Sequence, residues 1–249
     1  MDLLVANLAD RPELAPRLRD FNVWPPFMLQ DPISSLYYVD PVGAYPEFVL
    51  VALDRDDPER ALAKAYSVPF VWDEDPATSL PEDGWDGAIM QAALDRLAGR
   101  QGNVVSALEI SIRSDLRGSG LSSVMLQAMR ENVAALGFAD LVAPVRPNGK
   151  HLHQDMSITD YVALRREDGL PVDPWLRVHL RAGGQIVATS PRAMVIPGSL
   201  AQWREWTGLP FDTTGPVAVP EALVPVHCDV EHGYAAYCEP CVWVHHRLG

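Results

Sequence analysis

Cysteine is scarce in this chain. Its 249 residues hold three, Cys228, Cys238 and Cys241, all near the end. So small, odd and clustered a set does not make a disulfide framework. Positive charge is short as well: 20 Lys and Arg stand against 33 Asp and Glu, a formal net charge of −13. Such a chain repels nucleic acid and anionic membranes unless it carries a local basic patch. The most basic stretch, Arg177 to Arg181, is short and dispersed, so no nucleic-acid partner is expected. The acidic balance suits a basic acceptor such as an amine, or serves solubility alone. No apolar run of about 18 residues occurs, which excludes a transmembrane helix. The start, Met1-Asp2-Leu3-Leu4, lacks the basic and apolar regions of a secretory leader. Cytoplasm is therefore the expected location. Repeats and low-complexity tracts are also missing.

What is there is enough apolar matter for a buried core, 48% of the residues against 21% charged. Residues 11–21 have the spacing of a short helix, with Leu14, Leu18 and Phe21 on one face. Phe48 to Leu53 is a wholly apolar run that suits a buried strand. Asp54-Arg55-Asp56-Asp57 suits the turn after it, and Ala61 to Pro69 the paired strand. An acidic, proline-bearing loop over 71–84 precedes helical spacing from Trp85 to Leu97. Val104 to Ile112 reads as a strand, and Leu141 to Val145 as another. Between them Leu121, Val124, Met125, Ala128 and Ala135 recur at helical spacing, up to a stop at Gly137. Further helices are expected over 157–168, from Asp173-Pro174 to Gly183-Gly184, and over Leu200 to Thr207. Short strands are expected at 185–189, 193–196, 224–227 and 234–244. Strands and helices interleave without a linker, so residues 1–249 read as one α/β domain.

The most informative feature is Arg117-Gly118-Ser119-Gly120-Leu121-Ser122, set between a strand and a helix. The first amides of a helix have no acceptor within it, and the helix dipole favours an anion there. Glycine lets the backbone come close to a phosphate. Arg117 adds a charged donor, and Ser119, Ser122 and Ser123 add hydroxyls. No Gly-Lys-Ser/Thr follows, so this is not a nucleotide P-loop, and no Gly-x-Gly-x-x-Gly is present. Taken alone, the turn could also be an ordinary helix cap.

With its flanks, the motif resembles the Arg/Gln-x-x-Gly-x-Gly/Ala turn of the GNAT superfamily, the Gcn5-related N-acetyltransferases. Ser122 stands in the last small position. Leu141 to Val145 is similar to the family's fifth strand, and His179 to Gly184 to its Tyr-x-x-x-Gly-Phe. Arg146-Pro147-Asn148, Tyr161-Val162, Asp173-Pro174 and Trp203-Arg204-Glu205-Trp206 resemble the GNAT-like domain fused to some carbon–nitrogen hydrolases. The likeness covers roughly residues 45–210. It implies a mixed, mostly antiparallel central sheet with a splayed fourth and fifth strand pair and helices on both faces. It implies acetyl-CoA, or another acyl-CoA, as co-substrate, with its pyrophosphate on the amides of the turn at 117–122. The strand before the turn, through Ile110, Ile112 and Arg113, would hold the pantetheine by main-chain bonds, and Asn148 would contact the cofactor.

Transfer to an amine needs a base for the amine proton and a donor near the sulfur. Glu109 is the candidate base, on the strand face opposite Ile110 and Ile112 and alongside Ser111 and Arg113. Pairing with Arg113 is the alternative. His179 stands where many members of the family have a tyrosine acid, and Tyr161 is a rival for that role. Trp24 and Trp85 fall in segments that would flank an acceptor cleft. His151-x-His153 and the cluster His227-Cys228, His232, Cys238, Cys241 and His245-His246 offer metal ligands, but their spacing fits no zinc pattern, so no metal is expected. The function implied is N-acyl transfer from acyl-CoA to a small-molecule or peptide amine. A binding or regulatory module without turnover is the alternative. The oligomeric state stays open, a homodimer included.

Overall fold

The computed structural model describes residues 3–249. Met1 and Asp2, where the reading of the N-terminus began, lie outside the described residues. The strands are β1 (Leu3–Asn7), β2 (Val49–Asp54), β3 (Asp57–Phe70), β4 (Val104–Ile112), β5 (Asp140–Val145), β6 (Gln185–Ser199), β7 (Gly215–Val217), β8 (Val226–Asp229) and β9 (Tyr234–Arg247). The helices are α1 (Ser35–Tyr38), α2 (Pro41–Ala44), α3 (Gly84–Leu97), α4 (Leu121–Ala135), α5 (Ile158–Ala163), α6 (Pro174–Arg181) and α7 (Leu200–Thr207).

All nine strands join one sheet in the order β1-β2-β3-β4-β5-β9-β8-β7, with β6 also paired to β9. Every pairing is antiparallel except β4 with β5. The apolar run Val49 to Leu53 is buried throughout, as a strand covered on both faces must be. The long β9 gives one edge to β5 (at 242–247) and β8 (at 234–236), and the other to β6. Helices cover both faces: α3 packs on β3, β6 and β9, and α4 on β1, β3 and β4.

Local chemistry explains where the structure follows the sequence pattern and where it departs from it. Asp173 caps α6 by accepting from the Trp175 and Leu176 amides, with Pro174 in the first turn. Ser157 caps α5, but that helix ends at Ala163 rather than continuing to 168. The chain turns back instead through Asp168-Gly169, and Arg165 bridges Pro171. Residues 12–19 form a 3-10 helix, because Pro16 removes an amide from any α-helical ladder. In α4 the buried face is Leu121, Met125, Leu126, Met129 and Val133, while Val124 and Ala135 are exposed. The two short strands expected at 185–189 and 193–196 are one strand, β6, with an irregular register between Ser190 and Met194.

One buried contact holds the segment before α1 to α3. Asp31 and Asp86 are 3% and 5% exposed, and their carboxyls hydrogen-bond each other. Oδ2 of Asp31 and Oδ1 of Asp86 meet no donor from any other described residue, which together with burial favours the protonated form. Their other oxygens accept from the Ser34 and Val195 amides. Burial, with the neighbouring Asp31 second, pushes the Asp86 carboxyl up to about 8 from an ordinary 3.8. Between those two values the unfolded chain gives up a proton that the folded chain keeps. Stability must therefore fall as pH rises through this window. Asp86→Asn, which still accepts from Val195 and can donate to Asp31, should flatten the slope. It should also raise Tm at pH 8 by about 3 °C or more, roughly 1 kcal/mol for a chain of this size. Thermal denaturation across the pH range checks both.

Candidate functional site

The site begins where two strands part. β4 and β5 pair only at Val105–Leu141 and Ser106–Val142, though both strands run on. On the other side of β4, Tyr66 faces Glu109 but Ser67 faces Ala107, so Leu108 is the extra residue of a bulge. A bulge bends its strand and sharpens the twist, which carries β4 away from β5. On β5, Pro144 removes a donor just past the parting. The indole of Trp85, on α3, donates to the carbonyl of Leu108 at 3.0 Å and so holds the bulge. Main-chain groups beyond Ser106 then face a cleft of about 1040 Å³, which Ile110 and Ile112 line.

At one end of the cleft lies the glycine turn. Gly118 and Gly120 have φ of 80° and 87°, the left-handed region that glycine enters without strain. Gly120 is the N-cap of α4. The amides of Gly118, Gly120, Leu121 and Ser122 have no acceptor among the described residues. A Cβ added at Gly118 or Gly120 would meet nothing within 4 Å, so the turn is not packed against other residues on that side. Arg117 is exposed and makes no ion pair among the described residues. Free amides, a helix N-terminus and an unpaired guanidinium suit a pyrophosphate. Ser122 and Asn148 line the cleft with them; Ser119, Ser123 and Arg113 do not. Arg113 is tied to Asp115 at 3.2 Å.

Glu109 stands in the middle, 9% exposed. The alternative pairing with Arg113 is not made. Its Oε1 accepts from the Ser111 hydroxyl at 2.5 Å and its Oε2 from the Tyr38 hydroxyl at 3.1 Å. Both donors are neutral, and among the described residues no Lys or Arg bonds to it. Burial, and then the charge of Glu109, push the Tyr38 hydroxyl well above its ordinary range, so it stays a donor. Tyr38 stacks on Trp85 at 6.0 Å and 17° and meets Tyr66 edge-on.

The rest of the cleft is aromatic, with acidic groups and the cations Arg19, Lys64 and Arg146. Trp24, Tyr38 and Trp85 line it with Glu221 and Glu239. Glu239 is 3% exposed and takes both bonds of Arg146 Nε, at 2.9 and 3.0 Å, and the Tyr237 hydroxyl at 2.7 Å. The Arg146 guanidinium lies 6.0 Å from the Trp24 ring. This wall already holds one guanidinium between an aromatic face and a carboxylate.

His179, on the last turn of α6, lines the cleft on the far side from Glu109's strand neighbours and is 2% exposed. Burial, and then the adjoining His246, push its imidazolium down to about 3. At neutral pH it therefore carries one proton. It offers an N–H hydrogen bond, rather than an imidazolium proton, to a group in the cleft. Tyr161 does not reach the cleft: it is 3% exposed, and its hydroxyl donates to Asp173 at 3.2 Å. The helix cap uses the group that a proton donor would need. His245 is bound to Asp140 at 2.7 Å, and no group of three or more His, Cys, Asp or Glu among the described residues is placed to hold a metal. Tyr38, Arg146 and Glu239 were not picked out as site residues from sequence. Only Arg146 had a signal, through its place beside Pro147 and Asn148 after β5.

No family model matches the chain. It is 33% identical over 271 residues to an arginine N-acetyltransferase from Aspergillus versicolor, covering 96% of this chain and 92% of that one. Among solved structures it is similar to the loading GNAT-like domain of CurA from Lyngbya majuscula. That match has a TM-score of 0.55 and 16% identity, over 99% of this chain and 98% of the other. It is also similar to the GNAT-like decarboxylase GphF in complex with isobutyryl-CoA, with a TM-score of 0.52 and 17% identity over the whole of both chains.

The left-handed cap gives a test of the turn itself. Gly120→Ala should cost about 1 kcal/mol, because a Cβ at φ 87° is strained although no atom opposes it. Urea denaturation reads this directly; an unchanged midpoint would mean that the cap does not hold this conformation.

Proposed function

The chain belongs to the GNAT superfamily and is an acyl-CoA-dependent N-acetyltransferase, and from that premise we propose that it moves the acetyl group of acetyl-CoA to a nitrogen of arginine or a close guanidine-bearing amine. The observation that supports this most is the composition of the cleft beyond Glu109. A planar cation is favoured over aromatic faces and beside carboxylates, and Trp24, Trp85, Glu109 and Glu221 offer both. The similarity to an arginine N-acetyltransferase points to the same acceptor class.

In this reading the glycine turn fits the pyrophosphate of CoA through the amides of Gly118, Gly120, Leu121 and Ser122, with Arg117 at the rim. The main chain of Ile110 and Ile112 runs beside the pantetheine, and Asn148 lies across from it. Glu109 takes the proton of the attacking nitrogen, its carboxylate oriented by Tyr38 and Ser111. The continuous nine-stranded sheet supports treating the chain as one domain. Among the described residues no helix is long and apolar enough to cross a membrane. That helix record and three free cysteines support a cytoplasmic place.

The direct test incubates the purified protein with acetyl-CoA and arginine, agmatine, Nα-blocked arginine, lysine or putrescine. It follows thiol release and the acetylated product by mass. Guanidine-bearing acceptors should react best. CoA binding without thiol release above the acceptor-free rate across this panel would sink the proposal in favour of a binding module. Glu109→Gln should leave acetyl-CoA binding intact and lower kcat by on the order of 10²-fold. Gly120→Asp should abolish the thermal shift given by CoA, since its carboxylate would stand in the anion site.

A further inference from the structure

His246 lies on β9 opposite Leu141, which pairs with Val105 at the last stretch where β4 and β5 still run together. It is fully buried and does not line the cleft. Its Nε2 is 2.9 Å from Nδ1 of His179, which does. Two rings at this distance share one proton, and its position decides what His179 presents.

Two further atoms decide where the proton sits. Nδ1 of His246 and Nε of Arg130 are both buried and have no hydrogen-bond partner among the described residues. Arg130, on α4, acts on His246 through its charge. A buried N–H with no acceptor is disfavoured more than a buried lone pair with no donor, so Nδ1 of His246 favours the lone pair. The proton of neutral His246 is then on Nε2, from which it can only point to His179. His179 must accept at Nδ1 and carry its own proton on Nε2. That atom has no protein partner, and unlike Nδ1 of His246 it is not sealed from solvent. Burial pushes His246 down to about 4, with Arg130 and His245 adding to it, so both rings are neutral at neutral pH.

We propose that His246 is a positioning residue: by donating its Nε2–H to His179 it fixes His179 in the tautomer whose Nε2–H faces the cleft as a hydrogen-bond donor to the thioester sulfur. This rests on the acyl-transfer reading above. As the acceptor nitrogen bonds to the carbonyl carbon, the carbon–sulfur bond breaks and its electron pair goes to sulfur. The amine proton goes to Glu109. His179 keeps its proton and stabilises the departing thiolate by a hydrogen bond, and the thiolate then takes a proton from solvent.

The first test needs no turnover. Nitrogen-15 NMR of the histidine rings at neutral pH should show the His179 proton on Nε2, and addition of CoA should shift that nitrogen and leave Nδ1 of His246 in place. A proton on Nδ1 of His179, or no response to bound CoA, overturns the proposal. The second test is kinetic. His246→Met, which cannot donate, should lower kcat by roughly tenfold to a hundredfold with KM for acetyl-CoA within about twofold, up to the loss from removing a donor to developing negative charge. His246→Gln, whose amide can donate, should recover most of that loss. Wild-type kcat in His246→Met would also overturn it. Failure of the native protein to acetylate any acceptor would instead strike the proposed function, and the NMR result would still decide the tautomer.

Discussion

Beyond Ser106 the edge of β4 that faces β5 has no partner strand, and the rest of the site follows from that loss. A buried peptide edge must find hydrogen bonds somewhere. Here the bulge at Leu108 and Pro144 on β5 keep the neighbouring strand from supplying them. The open edge becomes one wall of the cleft. The glycine turn at its end, Glu109 on its surface and His179 across from it all depend on that opening. Had β4 and β5 stayed paired to Ile112 and Val145, the same side chains would lie on a closed sheet.

The polar groups around the cleft fall into two electrostatic classes. Some are neutralised within the protein: Arg146 by Glu239 and Arg113 by Asp115. Others remain uncompensated at the surface of the cleft. Arg117 and the free amides form a positive end, and Glu109, with only hydroxyl partners, forms a negative middle. A positive end and a negative middle suit an anionic co-substrate whose reactive end meets a cationic acceptor at Glu109.

Much of the fold was legible because it rests on local signals. The apolar run at Val49 to Leu53, the glycine turn, the Asp173-Pro174 cap and the helix at Leu200 to Thr207 each follow from residues within a few positions. The misses share another cause. β1 is short and gains its place by pairing with β2. Pro16 turned an apparent α-helix into a 3-10 helix. Tyr161 has the composition of a site residue, yet its hydroxyl is spent on Asp173, 12 positions away in sequence.

The sequence by itself determined the glycine turn, the interleaved α/β pattern and the candidacy of Glu109, while the mostly antiparallel sheet was implied by the family resemblance. Glycine conformation, helix capping and strand alternation are set within a few residues. Only the tertiary structure decided which polar groups are free to act. It brought Tyr38 to Glu109 across 71 positions, Glu239 to Arg146 across 93, and His246 to His179 across 67. Whether a carboxylate is paired, or on which nitrogen an imidazole holds its proton, depends on burial and on neighbours from distant strands. No spacing rule along one chain encodes that.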